Sequence, residues 1–408
     1  MAKRRINLEF PGSEGLTIAG VLEIPESTPH AFVLFAHCFT CGKDVVAASR
    51  ISRYLVERGF AVMRFDFTGQ GKSEGDFADS NFTSNVKDFL FAANFLREDY
   101  LAPALLIGHS LGGAAVLSAA SQIPEAKGVV TIGAPADPSH VMKQFVCEVP
   151  VIEEHGEAVV SLANRDFTIK KQFLDDLNGQ NQMEKIAHLH KALLVFHSPV
   201  DETVNIREAE KIYVTAKHPK SFVSLDSADH LLTSAQDAEY VASTIAAWAS
   251  RYVDSTFGVK KFASNVSRGH VQINEKNREF LRTVASDHHS WFADEPTSVG
   301  GSDLGPDPYE HLLAALGTCT SMTIRMYANH KKIPLDDIVV EVSHDREHVT
   351  DCEGCEDSPK KIEVLERTIE LKGELSAEQR KRLLEIADRC PVHRTLESEL
   401  HIRTALVD

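Results

Sequence analysis

The chain has 408 residues, too many for one ordinary core, so two or three domains are expected. Hydrophobic residues make up 43% and charged residues 25%, the mix of a water-soluble globular chain. A formal net charge of −16 argues against nucleic acid and anionic membrane surfaces, and no run of about eighteen apolar residues predicts a membrane span.

The opening residues, Met1-Ala-Lys-Arg-Arg-Ile-Asn7, are basic with no apolar stretch behind them. Neither a signal peptide nor a lipidation motif is read there, so a cytoplasmic location is expected. From residue 31 onward, short apolar runs alternate with helical patterns. Residues 31–36, 61–66, 104–108, 128–133, 192–197 and 221–225 read as strands buried on both faces of a parallel sheet. Helices are expected over 45–58, which ends at Gly59, and over 85–99 and 111–122. This rhythm predicts an α/β fold with a mostly parallel, doubly wound sheet. Residues 137–191 break the rhythm and read as a polar, helical lid insertion with no clear strand. A helix over 237–252 closes a first domain of residues 1–252, and 253–261 is the expected linker.

The remaining segment, 262–408, changes character and reads as an α+β domain. Strands over 262–274 and 278–285 flank a hairpin turn. A turn-rich loop, 296–308, leads into a strongly apolar helix over 309–330. Strands over 338–345 and 361–372 follow, joined by an acidic loop, and Ser376 starts a final helix over 377–389.

Chemistry concentrates in three places. Gly108-His109-Ser110-Leu111-Gly112 is a G-x-S-x-G pattern between a strand and a helix. Such a turn exposes a serine hydroxyl, but the hydroxyl needs a histidine base and the base needs a carboxylate to orient it. His230 and Asp201 fall in loops after later strands, with Glu202 as the rival carboxylate. Two backbone N–H groups are needed to hold a developing oxyanion, and those of Leu111 and Phe39 are the candidates. With Asp66-Phe-Thr-Gly-Gln-Gly-Lys-Ser73, these features make residues 1–252 resemble the α/β-hydrolase family. The resemblance implies a serine hydrolase acting on acyl esters by two-step acyl transfer, with no cofactor. Where that family usually has glycine after the loop histidine, this chain has Cys38. The glycines of 66–73 lack the spacing of a phosphate-binding loop.

The second place is a pair of cysteines. Cys319 lies in the apolar helix, and Cys390 precedes Pro391 among Arg389, His393 and Arg394, a setting that favours thiolate. The helix and the Cys-Pro motif make about residues 256–408 resemble the OsmC/Ohr family. That resemblance implies thiol-dependent reduction of organic hydroperoxides, with Cys319 attacking, Cys390 resolving and an external dithiol as reductant. It also implies a homodimer, and an arginine and a glutamate that assist the thiolate. Arg268 and Glu310 are the candidates; the family's glutamate lies ten residues before the cysteine, where this chain has Tyr309. The alternative is a ligand-binding or scaffolding protein whose second domain only dimerises the chain.

The third place is His344, His348, Cys352 and Cys355, whose side-chain types suit a tetrahedral zinc site. Its other reading is a solvated acidic loop with a spare Cys-x-x-Cys pair. The seven cysteines, Cys147 among them, are odd in number and sparse, so no disulfide framework is expected.

Overall fold

Six apolar runs between residues 31 and 224 form the parallel heart of an eight-stranded sheet. The structure, a computed structural model, describes residues 4–25, 29–162, 165–253, 266–348 and 361–406. The chain divides into two compact units, Met1–Trp291 and Phe292–Asp408.

In the first unit, β1 (Arg4–Pro11) and β2 (Thr17–Ile24) form an antiparallel hairpin. β3 (Ala31–Ala36), α1 (Val46–Glu57), β4 (Phe60–Phe65), α2 (Phe82–Asp99), β5 (Leu105–His109), α3 (Leu111–Ala119) and β6 (Gly128–Ile132) follow. An insertion then intervenes. Beyond it come β9 (Ala192–His197), α7 (Arg207–Thr215), β10 (Lys220–Ser224) and α8 (Ala235–Ala249). The sheet order is β1-β2-β4-β3-β5-β6-β9-β10. β2 meets β4 antiparallel, and every pair from β4 to β10 is parallel. Every residue of β3, β4, β5, β6 and β9 is buried, which is why these strands are continuous apolar runs. Val33, Val62, Ile107, Val130 and Leu194 pack with α1 and α8 into one core.

The insertion contains α4 (Val149–His155), β7 (Glu157–Leu162), β8 (Arg165–Lys170), α5 (Lys171–Asn178) and α6 (Gln182–Ala187). The sequence predicts no strand here, yet β7 and β8 pair antiparallel. The reason is the half-buried period of β7: Val160 and Leu162 turn inward beside Phe39 and Leu111, and their neighbours face water. The hairpin at the N-terminus is also absent from the sequence reading, although Ile6, Leu8 and Phe10 alternate with Arg5, Asn7 and Glu9.

After α8, β11 (Gln272–Glu275), β12 (Arg282–Ala285) and β13 (Ser290–Ala293) make a small sheet. Residues 254–265, with most of the expected linker, lie outside the described residues. In the second unit, α9 (Pro308–Lys331) precedes the antiparallel pair β14 (Asp337–His348) and β15 (Lys361–Lys372). α10 (Ala377–Ala387) and α11 (Pro391–Leu396) close the chain. The helix expected over 377–389 therefore stops at Ala387, and Cys390 starts a separate short helix. Leu316, Thr320, Ile324 and Ala328, four residues apart, are the buried stripe of α9. Ile324 and Ala328 pack with Leu383 and Ala387 of α10. No helix among the described residues is long and apolar enough to cross a membrane.

Candidate active site

Ser110 sits between β5 and α3 with φ 55 and ψ −126, a backbone conformation that costs energy in any residue with a side chain. Its N–H donates to the Ile132 carbonyl at 2.9 Å, which ties the turn to the neighbouring strand. Close packing explains the following glycine: a Cβ on Gly112 would stand 2.3 Å from the carbonyl oxygen of His37. The absence of that side chain brings the start of α3 against the loop that leaves β3.

The structure brings three distant residues into line. His230 Nε2 lies 3.0 Å from Ser110 Oγ, and His230 Nδ1 lies 2.7 Å from Asp201 Oδ2. The other oxygen of Asp201 accepts the N–H groups of Thr203 and Val204 at 2.9 and 2.8 Å. Burial alone would raise the Asp201 pKa. The His230 hydrogen bond and charge, with the two N–H donors, outweigh burial and hold the carboxyl below its ordinary range. Glu202, the rival, is exposed.

Two more histidines hold these loops, and sequence reasoning missed both roles. His109 donates from Nε2 to the His230 carbonyl at 2.7 Å. His197 donates from Nε2 to the Val204 carbonyl at 2.7 Å, behind Asp201. Burial pushes both imidazoles down, His109 to about 4, so both are neutral near pH 7. Their only signal in the sequence is position: His109 is the x before the serine of the elbow, and His197 ends a strand.

Leu111 is the first residue of α3, where a helix leaves N–H groups unpaired. Phe39 lies in the loop after β3, and its N–H makes no hydrogen bond among the described residues. Both residues are buried. Phe39, Ser110, Asp201 and His230 line a cavity of about 820 Å³, to which the insertion contributes Lys143, Leu162 and Arg165. Residues 66–73 do not open into a phosphate cradle. Asp66 accepts Lys43 Nζ at 2.6 Å and the Lys72 N–H at 3.0 Å, and a Cβ on Gly71 would stand 2.3 Å from its carboxyl.

Cys38 and Cys41 are joined by a disulfide that the sequence reading did not single out. The bridge spans a sequence separation of 3, so it is a local clasp, not a framework.

In the second unit, Cys319 of α9 and Cys390 at the start of α11 are free thiols close enough that each shifts the other's titration. Cys390 is buried, and its sulfur accepts the His393 N–H at 3.4 Å. Burial would raise its pKa, but the His393 N–H, the Cys319 thiol and Thr320 together hold it below the usual range. Cys319 is shifted the other way, by burial and by the neighbouring Cys390.

Arg367 of β15 donates to Thr320 Oγ1 at 2.8 Å and to Asp388 Oδ1 at 2.7 Å, so a cation is tied to the residue after Cys319 and to the second residue before Cys390. The sequence reading chose Arg268 and Glu310 for this work. Arg268 lies exposed in a turn of the first unit. Glu310 is taken up by a capping box with Asp307, accepting its N–H at 2.9 Å. Nine helical residues separate it from Cys319, roughly 13 Å along the axis. Arg367 carries its own signal: it shares a strand face with Ile369 and Leu371, where a charge is out of place unless it is used.

Of the zinc candidates, His344 is held by Glu363 at 2.5 Å and stacks on Tyr309. Cys352 and Cys355, and the side chain of His348, lie outside the described residues. Among the described residues no three His, Cys, Asp or Glu side chains group as metal ligands.

Comparison with known proteins agrees with both halves. The serine aminopeptidase S33 family matches residues 27–152, and the OsmC-like protein family matches residues 300–405. The crystal structure of the esterase domain from a Rhodothermus marinus protein is 45% identical, covers 62% of this chain and 100% of that one, and superposes with a TM-score of 0.50. The mitochondrial palmitoyl-protein thioesterase ABHD10 of Rattus norvegicus is 32% identical over 41% of this chain and 52% of its own. The uncharacterized protein YfhR of Escherichia coli O157:H7 is 22% identical over 55% of this chain and 73% of its own. A mostly parallel sheet with a serine elbow defines the class, that of α/β hydrolases. The chain belongs to the α/β-hydrolase family and carries an OsmC-like domain behind the hydrolase.

Proposed function

We propose that the first unit hydrolyses carboxylic esters or related acyl substrates through Ser110, His230 and Asp201. The observation that carries this reading is His230, bonded through one ring nitrogen to Ser110 Oγ and through the other to Asp201. His230 takes the serine proton as Ser110 attacks the acyl carbon, and Asp201 holds the ring and balances its charge. The N–H groups of Leu111 and Phe39 stabilise the oxyanion. His230 then protonates the leaving alcohol, and water attacks the acyl-enzyme by the same route. A fluorophosphonate probe and a panel of nitrophenyl esters test this. Native protein labels and turns over, and Ser110→Ala does neither. A native protein that stays unlabelled overturns the reading.

The second unit reduces organic hydroperoxides on the same terms. Cys319 is the half-exposed sulfur that meets the peroxide and gives its proton to solvent, and Cys390, buried and better stabilised as thiolate, waits beneath it as the resolving sulfur. The Cys319 thiolate attacks the O–O bond and becomes a sulfenic acid, and the leaving alkoxide takes a proton from water. The Cys390 thiolate then displaces hydroxide to form the disulfide, and an external dithiol resets the pair. Cumene hydroperoxide should convert two free thiols into a Cys319–Cys390 disulfide; thiols that stay free sink this half.

Met322 and Met326 are about 70% exposed on the outer face of α9. Such a face wants a cover, and a second copy of this unit supplies one. Sedimentation of the full chain should give a dimer that Met322→Glu with Met326→Glu dissociates.

A further inference from the structure

The loop that leaves β3 is closed on itself beside the cavity. The Cys38–Cys41 disulfide has Cα atoms 5.3 Å apart, and inside the same four-residue ring the Cys41 N–H donates to the Cys38 carbonyl at 3.2 Å. Thr40 in that ring has φ 61, a left-handed conformation that threonine adopts only under constraint. The side chain of Phe39 stacks on Phe173 with ring centres 5.4 Å apart, and it leans on Phe77. Just beyond the ring, Lys43 bonds both carboxyl oxygens of Asp66 at 2.6 Å. Cys38 is buried, Cys41 is half-buried, and both stand in the wall of the cavity that holds Ser110 and His230.

A bridge across so few residues adds little by restricting the unfolded chain, because that contribution grows with loop length. What it does restrict is the path of the backbone through Phe39 and Thr40. An oxyanion donor is effective only when it is fixed before the charge develops.

We propose that the Cys38–Cys41 disulfide positions the Phe39 N–H for acyl transfer, and that a small dithiol entering the cavity opens the clasp and slows the reaction. The proposal rests on the ester-hydrolase reading above. A thiolate of the dithiol attacks Cys41 Sγ, the more exposed sulfur; the S–S bond breaks and Cys38 leaves as thiolate and takes a proton. The second thiol of the reductant then displaces Cys41 from the mixed disulfide. Two electrons and two protons pass to the cysteines, and the dithiol departs as its own cyclic disulfide.

The test uses the full chain, p-nitrophenyl acetate as substrate and dithiothreitol as reductant, with bridge opening verified by alkylation and mass spectrometry. On opening, kcat should fall by about tenfold or more. KM should stay within about twofold and the circular dichroism spectrum should keep its folded form. Oxidised glutathione should restore kcat. Cys38→Ser with Cys41→Ser should start at the lowered kcat and ignore dithiothreitol, which removes the other cysteines from the account. The proposal is overturned by an opened native protein that keeps its kcat, by a double variant as fast as the native protein, or by a loss that tracks unfolding. If Ser110 of the oxidised protein takes no fluorophosphonate, the hydrolase reading falls and this proposal with it; if it labels and opening changes nothing, only this proposal falls.

Discussion

The imidazole of His109 donates to the backbone carbonyl of His230 at 2.7 Å, with the two rings 5.3 Å apart. The residue that precedes Ser110 thus also holds the loop that delivers the base. His109 is nevertheless neutral near pH 7, because burial first, then the neighbouring His230, pushes its pKa down to about 4.

Stability should therefore depend on pH in a definite direction. Between about pH 6.5 and pH 4 the unfolded chain binds a proton at His109 that the folded chain does not. Stability is full above the unfolded value and is lost as pH falls across that window, by about 3 kcal/mol from this residue. The lowered values of His37 and His197 act in the same direction. Urea unfolding at pH 7 and pH 4.5 measures the drop. His109→Gln keeps an amide donor without a titrating group and should flatten it; an unchanged drop in that variant removes His109 as the cause.

Asp201 and Glu202 are neighbours in sequence with different fates. Asp201 is buried against His230, and Glu202 is exposed at the cavity mouth. Asp201→Asn should lower kcat roughly 10⁴-fold, because an amide neither fixes the imidazole tautomer nor balances its charge. Glu202→Gln should leave kcat nearly unchanged. Ester hydrolysis by the two variants decides between them, and the reverse order would move the acidic role to Glu202.

Gly112 connects the elbow to the loop after β3. A Cβ there would press on the His37 carbonyl at 2.3 Å and on the Ala36 carbonyl at 2.7 Å, both backbone atoms with little freedom to yield. Gly112→Ala should part the Leu111 and Phe39 N–H groups and lower kcat by about 10²-fold, with a smaller effect on KM. Steady-state kinetics on a nitrophenyl ester checks this; a kcat equal to the native value would mean the two donors are not used together.

The parallel sheet and the elbow were legible because each leaves a local trace. Strands buried on both faces must be apolar throughout, and a serine on a tight turn needs small neighbours. Asp201 and His230 were found from the chain order of the fold, not from anything local to them. The hairpin of the insertion was hidden because β7 buries only Val160 and Leu162 along its inner face, too short a period to stand out among charged neighbours. The Cys38–Cys41 clasp was lost in a count of seven, since the number of cysteines says nothing of which two share a turn. Glu310 was placed by a sequence offset, and the structure puts it in the capping box that starts α9. Arg367 is remote in sequence from both cysteines, and only the pairing of β14 with β15 and their packing on α9 brings it to Thr320.

Arg367 and Glu310 supply the last prediction. Arg367 grips Thr320, beside Cys319, and Asp388, near Cys390, with charged hydrogen bonds of 2.8 and 2.7 Å. Replacing it with methionine keeps the length of the side chain and removes the charge. A charged hydrogen bond contributes about 1.5–3 kcal/mol, so Arg367→Met should slow disulfide formation between Cys319 and Cys390 roughly ten- to hundredfold under cumene hydroperoxide. Glu310→Ala loses half of a capping box, worth about 1 kcal/mol or less in thermal unfolding, and should leave the peroxide step unchanged. Stopped-flow tracking of thiol loss separates the two variants, with melting temperature as the control for folding. If Glu310→Ala slowed the step as much as Arg367→Met, the cation beside the cysteines would not be what prepares them.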